Sequence, residues 1–202
     1  MNPRQIHRFF RTLARELDAP ARVIVTGAAA ASLWGHARPS LDIDFAITLA
    51  PAGRTQWARL EAAVERTTQL TGIGANYAQD IDRWGLISLL DYPRHTHRYW
   101  TFDKLEVRLL DPAYWSIGKI SRYLDPDVQD LVAVLKGERV PASRLLRLWA
   151  LALKGSPPST ARALFRRQAE HFLRAYGRGI WGPRFDAEAA IRLFHRRAGV
   201  AL

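Results

Sequence analysis

The stretch from Val23 to Ile47 constrains this chain more than any other. It reads V-I-V-T-G-A-A-A-A-S-L-W-G-H-A-R-P-S-L-D-I-D-F-A-I, which predicts two strands joined by a small-residue turn and a short helix. The second strand carries two carboxylates, Asp42 and Asp44, inside an apolar run. Because successive side chains of a strand alternate between its faces, both carboxylates should share one face and their apolar neighbours the other.

Two negative charges on one half-buried face repel each other unless a cation lies between them. A hard divalent ion, held by one or two carboxylates together with substrate phosphates, is the usual solution, and Mg²⁺ is the usual ion. The alternative is an ordinary solvated strand face. The surrounding pattern favours the metal, so we expect Asp42 and Asp44 to bind Mg²⁺.

The rest of the chain predicts an α+β fold, with a small mixed sheet flanked by helices and followed by a helical region. Apolar spacing and turn residues predict strands at 21–25, 41–48 and 85–90, a hairpin of 97–102 with 105–110, and a loop at 71–83. Helices are expected from Asn2-Pro3 to about Asp18, and at 28–34, 51–70, 113–123, 126–136, 142–154, 159–176 and 186–197.

The positive charge is placed unevenly. Residues 1–135 hold 16 Lys and Arg against 15 Asp and Glu, whereas residues 136–202 hold 14 against 4. We therefore expect a core domain over 1–135 and a basic helical region over 136–202. Such asymmetry favours a polyanionic partner, RNA first of all. Since 26 of the 30 positive residues are Arg, a genome rich in Arg codons would produce a similar excess.

One helix of the basic region carries a row of positive or potentially positive side chains. Its members follow helical spacing along one face and continue past the expected helix end at Gly177: Arg167, His171, Arg174 and Arg178. A row of this kind does not help a helix to fold, but it can follow a phosphate backbone. A solvated face near neighbouring acids is the alternative.

Other function classes are excluded by composition. The chain has no cysteine, which rules out disulfides, thiolate metal sites and cysteine nucleophiles. It has no secretory apolar segment near Met1 and no stretch apolar enough to cross a bilayer. We expect a cytoplasmic protein with no membrane partner.

The order of strand, Gly-led turn, short helix, Arg-x-Ser and D-x-D resembles the minimal nucleotidyltransferase domain of the polymerase-beta superfamily, in particular the AbiEii/MenT-type bacterial nucleotidyltransferases. A second stretch, K-I-S-R-Y-L-D-P-D-V-Q-D-L from Lys119 to Leu131, resembles the family's K-x-x-R … D-x-x-D-L element. Together the two cover about residues 20 to 135. Their specificity comes from the order of both parts, because a D-x-D alone is common.

The resemblance implies Mg²⁺-dependent transfer of a nucleoside monophosphate from an NTP to an acceptor hydroxyl. Gly27 and the backbone N–H of Ala28 would face the triphosphate. Asp42 and Asp44 would bind the metal, and Glu106 would complete the metal site or act as general base. For Gly27 an ordinary tight turn is the alternative, and for Glu106 a surface pair with Arg108.

Several further residues match the family's pattern. Arg38 and Ser40 would contact phosphate. Within the second stretch Lys119 would neutralise the triphosphate, Asp127 or Asp130 would orient that lysine or the nucleotide, and Arg122 would take part in nucleotide binding. Asp127 also has a simple structural explanation, because an acid in the first turn of a helix is favoured by the helix dipole.

Two departures from the family keep other functions open. Ala28 stands where the family usually has Ser or Gly, and Glu106 stands where the superfamily often has Asp. The first hypothesis is transfer to RNA, with the 3′ end of tRNA as one acceptor; a toxin of this type would have a cognate antitoxin. The second is an inactive nucleotidyltransferase fold that binds RNA or protein. The third is transfer to a small molecule or a protein hydroxyl, against which the basic region argues mildly.

Overall fold

The computed structural model describes residues 1–36, 38, 40–50 and 54–200, with the side chains of residues 54 and 55 left aside. The chain divides into two compact units. The sheet unit comprises residues 1–81 and 93–110, and the helical unit comprises residues 82–92 and 111–202. The architecture is α+β with a mixed sheet, flanking helices and a C-terminal helical region, as the sequence predicts.

The sheet unit is built on five strands in the order β3-β2-β1-β5-β4. The pairs β1–β2 and β4–β5 are antiparallel, and the pairs β1–β5 and β2–β3 are parallel. The strands are β1 Ala21–Val25, β2 Asp42–Leu49, β3 Gly74–Ala78, β4 Thr96–Phe102 and β5 Leu105–Leu110. The helices of this unit are α1 Pro3–Glu16, α2 Gly27–Leu33 and α3 Arg54–Thr71.

Helix α1 covers the apolar face of the sheet. It begins at a capping box in which the Asn2 side chain accepts from the backbone N–H of Gln5 and the Gln5 side chain accepts from that of Asn2. Its buried rings Phe9 and Phe10 lie 6.1 and 5.6 Å from the ring of Phe45 on β2. Since β2 alternates, Asp42 and Asp44 are left on the opposite face.

Strand β3 lies where the sequence predicts a loop. The segment is polar and contains glycines, which lowers its strand propensity, but parallel pairing with β2 supplies its backbone partners.

The strand expected at 85–90 has no regular structure. Its N–H groups bond to side chains instead: Ser88 N donates to Ser156 Oγ at 2.9 Å and Leu89 N to Asp82 Oδ1 at 2.5 Å. The helix start expected at Pro51 lies outside the described residues.

The helical unit packs five helices around large apolar side chains. They are α4 Pro112–Arg122, α5 Asp125–Gly137, α6 Ala142–Gly155, α7 Thr160–Trp181 and α8 Ala187–Ala198. Trp149 on α6 is fully buried and donates its indole N–H to Ser116 Oγ at 2.9 Å. Helix α7 continues through Gly177, where the sequence predicts an end. A Cβ at Gly177 would lie 2.6 Å from Cδ1 of Phe185, so glycine makes room for that ring.

The division of the chain differs from the expected one. A boundary between residues 135 and 136 falls inside α5 and would cut a continuous helix. With the observed units, the sheet unit holds 13 Lys and Arg against 9 Asp and Glu, and the helical unit 17 against 10. The positive charge is therefore shared between the units, although the helical unit carries more of it.

No helix among the described residues combines the length and the apolar character needed to cross a membrane.

Candidate functional site

The two carboxylates of β2 share one face of the sheet. Ile43 and Phe45 are fully buried, whereas Asp42 and Asp44 are half-buried on the other side. The Thr26 N–H donates to the Asp44 carbonyl at 2.9 Å, which continues the β1–β2 pairing into the turn after β1. The strand pairing thus holds the Asp pair at the level of that turn.

Asn76 on β3 joins the Asp pair, although the sequence analysis did not single it out. Its Nδ2 lies 2.6 Å from Oδ2 of Asp42 and 3.2 Å from Oδ1 of Asp44. In the parallel β2–β3 register Asn76 is the direct partner of Asp44, so both side chains project from the same face. Its segment was expected to be a loop, and only recognition of β3 as a strand could have indicated this position.

Gly27 makes close approach to the Asp pair possible. Its φ is +62°, a conformation that favours glycine. A Cβ built on Gly27 would overlap a carboxylate oxygen of Asp44 and lie 2.8 Å from its Cγ. Glycine is therefore required here both by backbone conformation and by the Asp44 carboxylate. The next residue, Ala28, is buried at the start of α2.

The residues before β2 are placed beside Asp42. Ser40 Oγ donates to the carbonyl of Asp42 at 3.1 Å and lies 3.4 Å from its Oδ1. The Arg38 carbonyl accepts from the N-terminal ammonium of Met1 at 3.2 Å. Ser40 is thus close enough to orient a carboxylate of the pair.

Glu106 lies on the same face but at a different level of the sheet. Arg22 of β1 pairs with both Thr48 of β2 and Glu106 of β5, so Glu106 is level with Thr48. Thr48 follows Asp44 by four residues, or roughly 13 Å along a strand. This register does not bring Glu106 to the Asp pair, so its expected role as third metal ligand or general base is not part of the site we describe.

Arginines surround Glu106. Its carboxylate lies 2.8 Å from Arg22 Nε, 2.7 Å from Arg108 Nη1 and 3.3 Å from Arg98 Nε. The hydrogen bond from Arg22, together with the hydrogen bond and charge of Arg108, lowers the pKa of Glu106 to about 2, against the opposing effect of burial. The alternative in which Glu106 pairs with Arg108 is therefore what the structure shows.

This arrangement predicts how Glu106 titrates. Because its pKa falls from 4.5 to about 2 on folding, its ion pairs contribute stability above pH 4.5 and lose that contribution as the pH falls toward 2. Carbon-13 NMR of the glutamate carboxyl groups should show one that titrates near 2. Arg22→Ala should move that pKa upward toward 4.5. An unchanged pKa in the variant would contradict the assigned cause.

Charged residues of the second motif, the stretch from Lys119 to Leu131, form a buried ionic cluster within the helical unit. Lys119 Nζ on α4 bonds to Asp127 Oδ1 at 2.9 Å and Asp130 Oδ2 at 2.7 Å on α5, and all three side chains are at most 4% exposed. Arg122 Nε also donates to Asp127 Oδ2 at 2.7 Å. Burial disfavours the ionised form of Asp127, but the hydrogen bond from Arg122 and the charge of Lys119 outweigh it and lower its pKa.

The four groups of this cluster carry two positive and two negative charges, so they compensate one another. The ring of Trp115 lies 5.3 Å from Lys119 Nζ and covers the ammonium further. Lys119 could reach a triphosphate only if Asp127 or Asp130 released it. The structure brings these residues together through the packing of α4 against α5.

The basic row on α7 is exposed, but two of its four members have partners. Arg174 Nε bonds to Glu188 Oε1 at 2.7 Å, and His171 Nδ1 lies 2.7 Å from the hydroxyl of Tyr123. Neither Arg167 nor Arg178 has an ion pair with any acid among the described residues. Along the row, two arginines without an acidic partner among the described residues are thus separated by His171 and Arg174, which both bond to other side chains.

The donor set at the Asp pair suits a hard cation, although it is small. Within the part of the chain that the structure describes, no three or more His, Asp or Glu side chains are grouped to hold a metal. Two carboxylates suffice for Mg²⁺, which keeps several waters and takes other oxygens from substrate phosphates. Asp42 and Asp44 each turn one oxygen toward the amide nitrogen of Asn76, so the two carboxylates converge on one side of the strand.

Comparisons of the chain with protein-family models, with curated proteins and with solved structures find no match.

Proposed function

We propose that this chain is a Mg²⁺-dependent nucleotidyltransferase that moves a nucleoside monophosphate from an NTP to a hydroxyl of an RNA acceptor. The observation that carries the proposal is the placement of Asp42 and Asp44 on one face, beside a turn whose Gly27 accommodates the Asp44 carboxylate. The resemblance of the surrounding motif supplies the reaction class, and the positive charge of both units supports a polyanionic acceptor.

The chain's own residues would perform three tasks. Asp42 and Asp44 hold the cation, which when bound neutralises the phosphates and stabilises charge at the α-phosphorus. Ser40 and Asn76 fix the orientation of the two carboxylates. The acceptor oxygen forms a bond to the α-phosphorus as pyrophosphate leaves. Since Glu106 is distant, the hydroxyl proton passes to a carboxylate of the Asp pair or to water.

A transfer assay tests the proposal. Wild-type protein is incubated with total RNA, Mg²⁺ and each of the four α-³²P-labelled NTPs in turn. We expect label in RNA with at least one NTP, and none with EDTA or with Asp42→Asn/Asp44→Asn. A γ-labelled NTP should leave the RNA unlabelled because pyrophosphate departs. RNA oxidised by periodate should accept nothing if the acceptor is a 3′-terminal ribose.

A second candidate is a nucleotidyltransferase fold that binds RNA without transferring a nucleotide. The burial of Lys119 between two carboxylates favours it, because the resemblance gives this residue a role on the triphosphate. RNA retained on the protein at low salt, with no label transferred from any of the four NTPs, would select this candidate.

A toxin role with a cognate antitoxin rests on the resemblance alone, and growth arrest that depends on Asp42 and Asp44 would support it.

The α7 row predicts a salt-dependent contribution to RNA binding. Arg167→Ala/Arg178→Ala removes the two arginines without described acidic partners, and we expect weaker RNA retention. If each contacts one phosphate of single-stranded RNA, the slope of log K against log salt should fall in magnitude by about 1.4. Filter binding between 50 and 200 mM salt, a range over which two such contacts change affinity by roughly sevenfold, measures it.

A matched control is available on α1. Arg4 and Arg15 are exposed and, like Arg167 and Arg178, lie eleven positions apart on one helix. Arg4→Ala/Arg15→Ala makes the same change in net charge. Equal losses of affinity in the two double variants would show that only net charge matters and would contradict a specific role for α7.

A further inference from the structure

The amide of Asn76 connects the two carboxylates of the Asp pair. Its nitrogen lies within hydrogen-bond distance of one oxygen of each, at 2.6 and 3.2 Å. This contact follows from the sheet, because β3 runs parallel to β2 and pairs Asn76 directly with Asp44. In the same register Asp42 pairs with Gly74, which has no side chain.

The chemistry of this amide depends on what lies between the carboxylates. Facing two negative charges, an amide is favourable only when its N–H groups point at them. Facing a cation, the same N–H groups are repelled, and the carbonyl oxygen becomes the favourable end. The two ends have nearly the same shape, so a half-turn of the terminal torsion exchanges them without moving the strand.

We propose that Asn76 is the third protein ligand of the divalent cation, turning its carbonyl Oδ1 toward the ion held by Asp42 and Asp44. This inference rests on the proposed function and specifies its metal site. Backbone and amide oxygens are ordinary ligands of hard cations. In the register of the sheet Asn76 occupies the place beside the Asp pair that Glu106 does not reach.

An amide in this place has a consequence for charge. With two carboxylates and a neutral amide, the site carries two negative charges, which one divalent ion compensates. A third carboxylate would bind the ion more strongly but add repulsion whenever the ion is absent. Asn76 therefore allows the site to remain assembled without metal, through its two hydrogen bonds, and to add an oxygen when metal arrives.

The proposal is tested by metal binding rather than by activity. Mn²⁺ serves as the probe for the full-length protein, with free Mn²⁺ measured by electron paramagnetic resonance. We expect Asn76→Leu to weaken Mn²⁺ binding about tenfold, the scale typical of a lost supporting group. Asn76→Asp should tighten binding by a similar factor, lower the melting temperature without metal and recover it with Mn²⁺. Asp42→Asn/Asp44→Asn should abolish binding at this site.

NMR offers a direct view of the amide because the chain has only two asparagines, Asn2 and Asn76. Selective ¹⁵N labelling of asparagine gives two side-chain NH₂ pairs. Addition of Mg²⁺ should shift the Asn76 pair as its hydrogen bonds to the carboxylates break. The side-chain NH₂ resonances of Asn2 should not shift, because this side chain caps α1, and they serve as the internal control.

The outcomes separate this inference from the proposed function. Two results would overturn the role of Asn76: equal Mn²⁺ affinity of the wild type and Asn76→Leu, or Asn76 NH₂ resonances that do not shift when Mg²⁺ is added. The transfer assay would then still decide the function. Failure of the wild type to bind Mn²⁺ also overturns it. If metal binding depends on Asn76 but no NTP is transferred, the ligand role stands and the transferase proposal fails.

Discussion

Asp44→Asn is expected to lower the rate of nucleotide transfer by about 10³-fold, the scale at which a single charge-stabilising group contributes to catalysis. The substitution keeps the shape of the side chain and removes only the charge that would hold the cation. Asp44 is the carboxylate closest to Gly27 and the direct strand partner of Asn76. The rate is measured with saturating labelled NTP and RNA.

The same substitution should leave the fold intact, because asparagine has nearly the same shape as aspartate. Urea unfolding without metal checks this expectation. Asp103→Asn in the β4–β5 turn is the control, because its φ of +48° is a conformation that asparagine tolerates well. Transfer by Asp44→Asn at the wild-type rate would end the transferase proposal.

Lys119→Met is expected to destabilise the helical unit by about 3–5 kcal/mol, the usual cost of removing one partner from a buried ion pair. The ammonium is bonded to Asp127 and Asp130, and each of the three side chains is at most 4% exposed. Methionine fills a similar volume but cannot replace the ammonium beside Asp130. Asp127 keeps its ion pair with Arg122. Two carboxylates would then be buried with one positive charge.

Circular dichroism during urea unfolding measures this loss. Lys136→Met, on the exposed side of α5, makes the same change in charge and should alter stability by no more than about 0.5 kcal/mol. Restoring stability by adding Asp130→Asn to Lys119→Met would show that the excess negative charge of the buried cluster is the cause. A Lys119→Met protein as stable as the wild type would contradict the structural role of the cluster and favour a role on the triphosphate.

Much of the sheet could be predicted from local patterns. The alternation in β2 identified the face of the Asp pair, and the hairpin of β4 and β5 was recognised from its turn at Asp103-Lys104. Local patterns do not indicate β3, because it forms a strand through pairing with β2 rather than through the propensity of its own residues. The apolar run at 85–90 indicated a strand, yet its backbone bonds to Ser156 and Asp82 instead.

The candidate site shows the same limit of sequence reasoning. Asp42, Asp44 and Gly27 lie within one short stretch, so local geometry was enough to associate them. The sequence predicts Glu106 as third ligand from its place on a neighbouring strand, but its level along the sheet is set by the β1–β5 register, which the sequence does not reveal. Asn76 enters through the β2–β3 register in the same way.

The path of the chain through the helical unit affects how the protein can be divided for experiments. Residues 82–92 belong to that unit although they precede β4 in the chain, and Ser88 bonds to Ser156 at the end of α6. A fragment starting at Asp111 would lack this segment and leave the Ser156 hydroxyl without its donor. An independently expressed helical half therefore needs residues 82–92 fused ahead of α4 through a flexible linker.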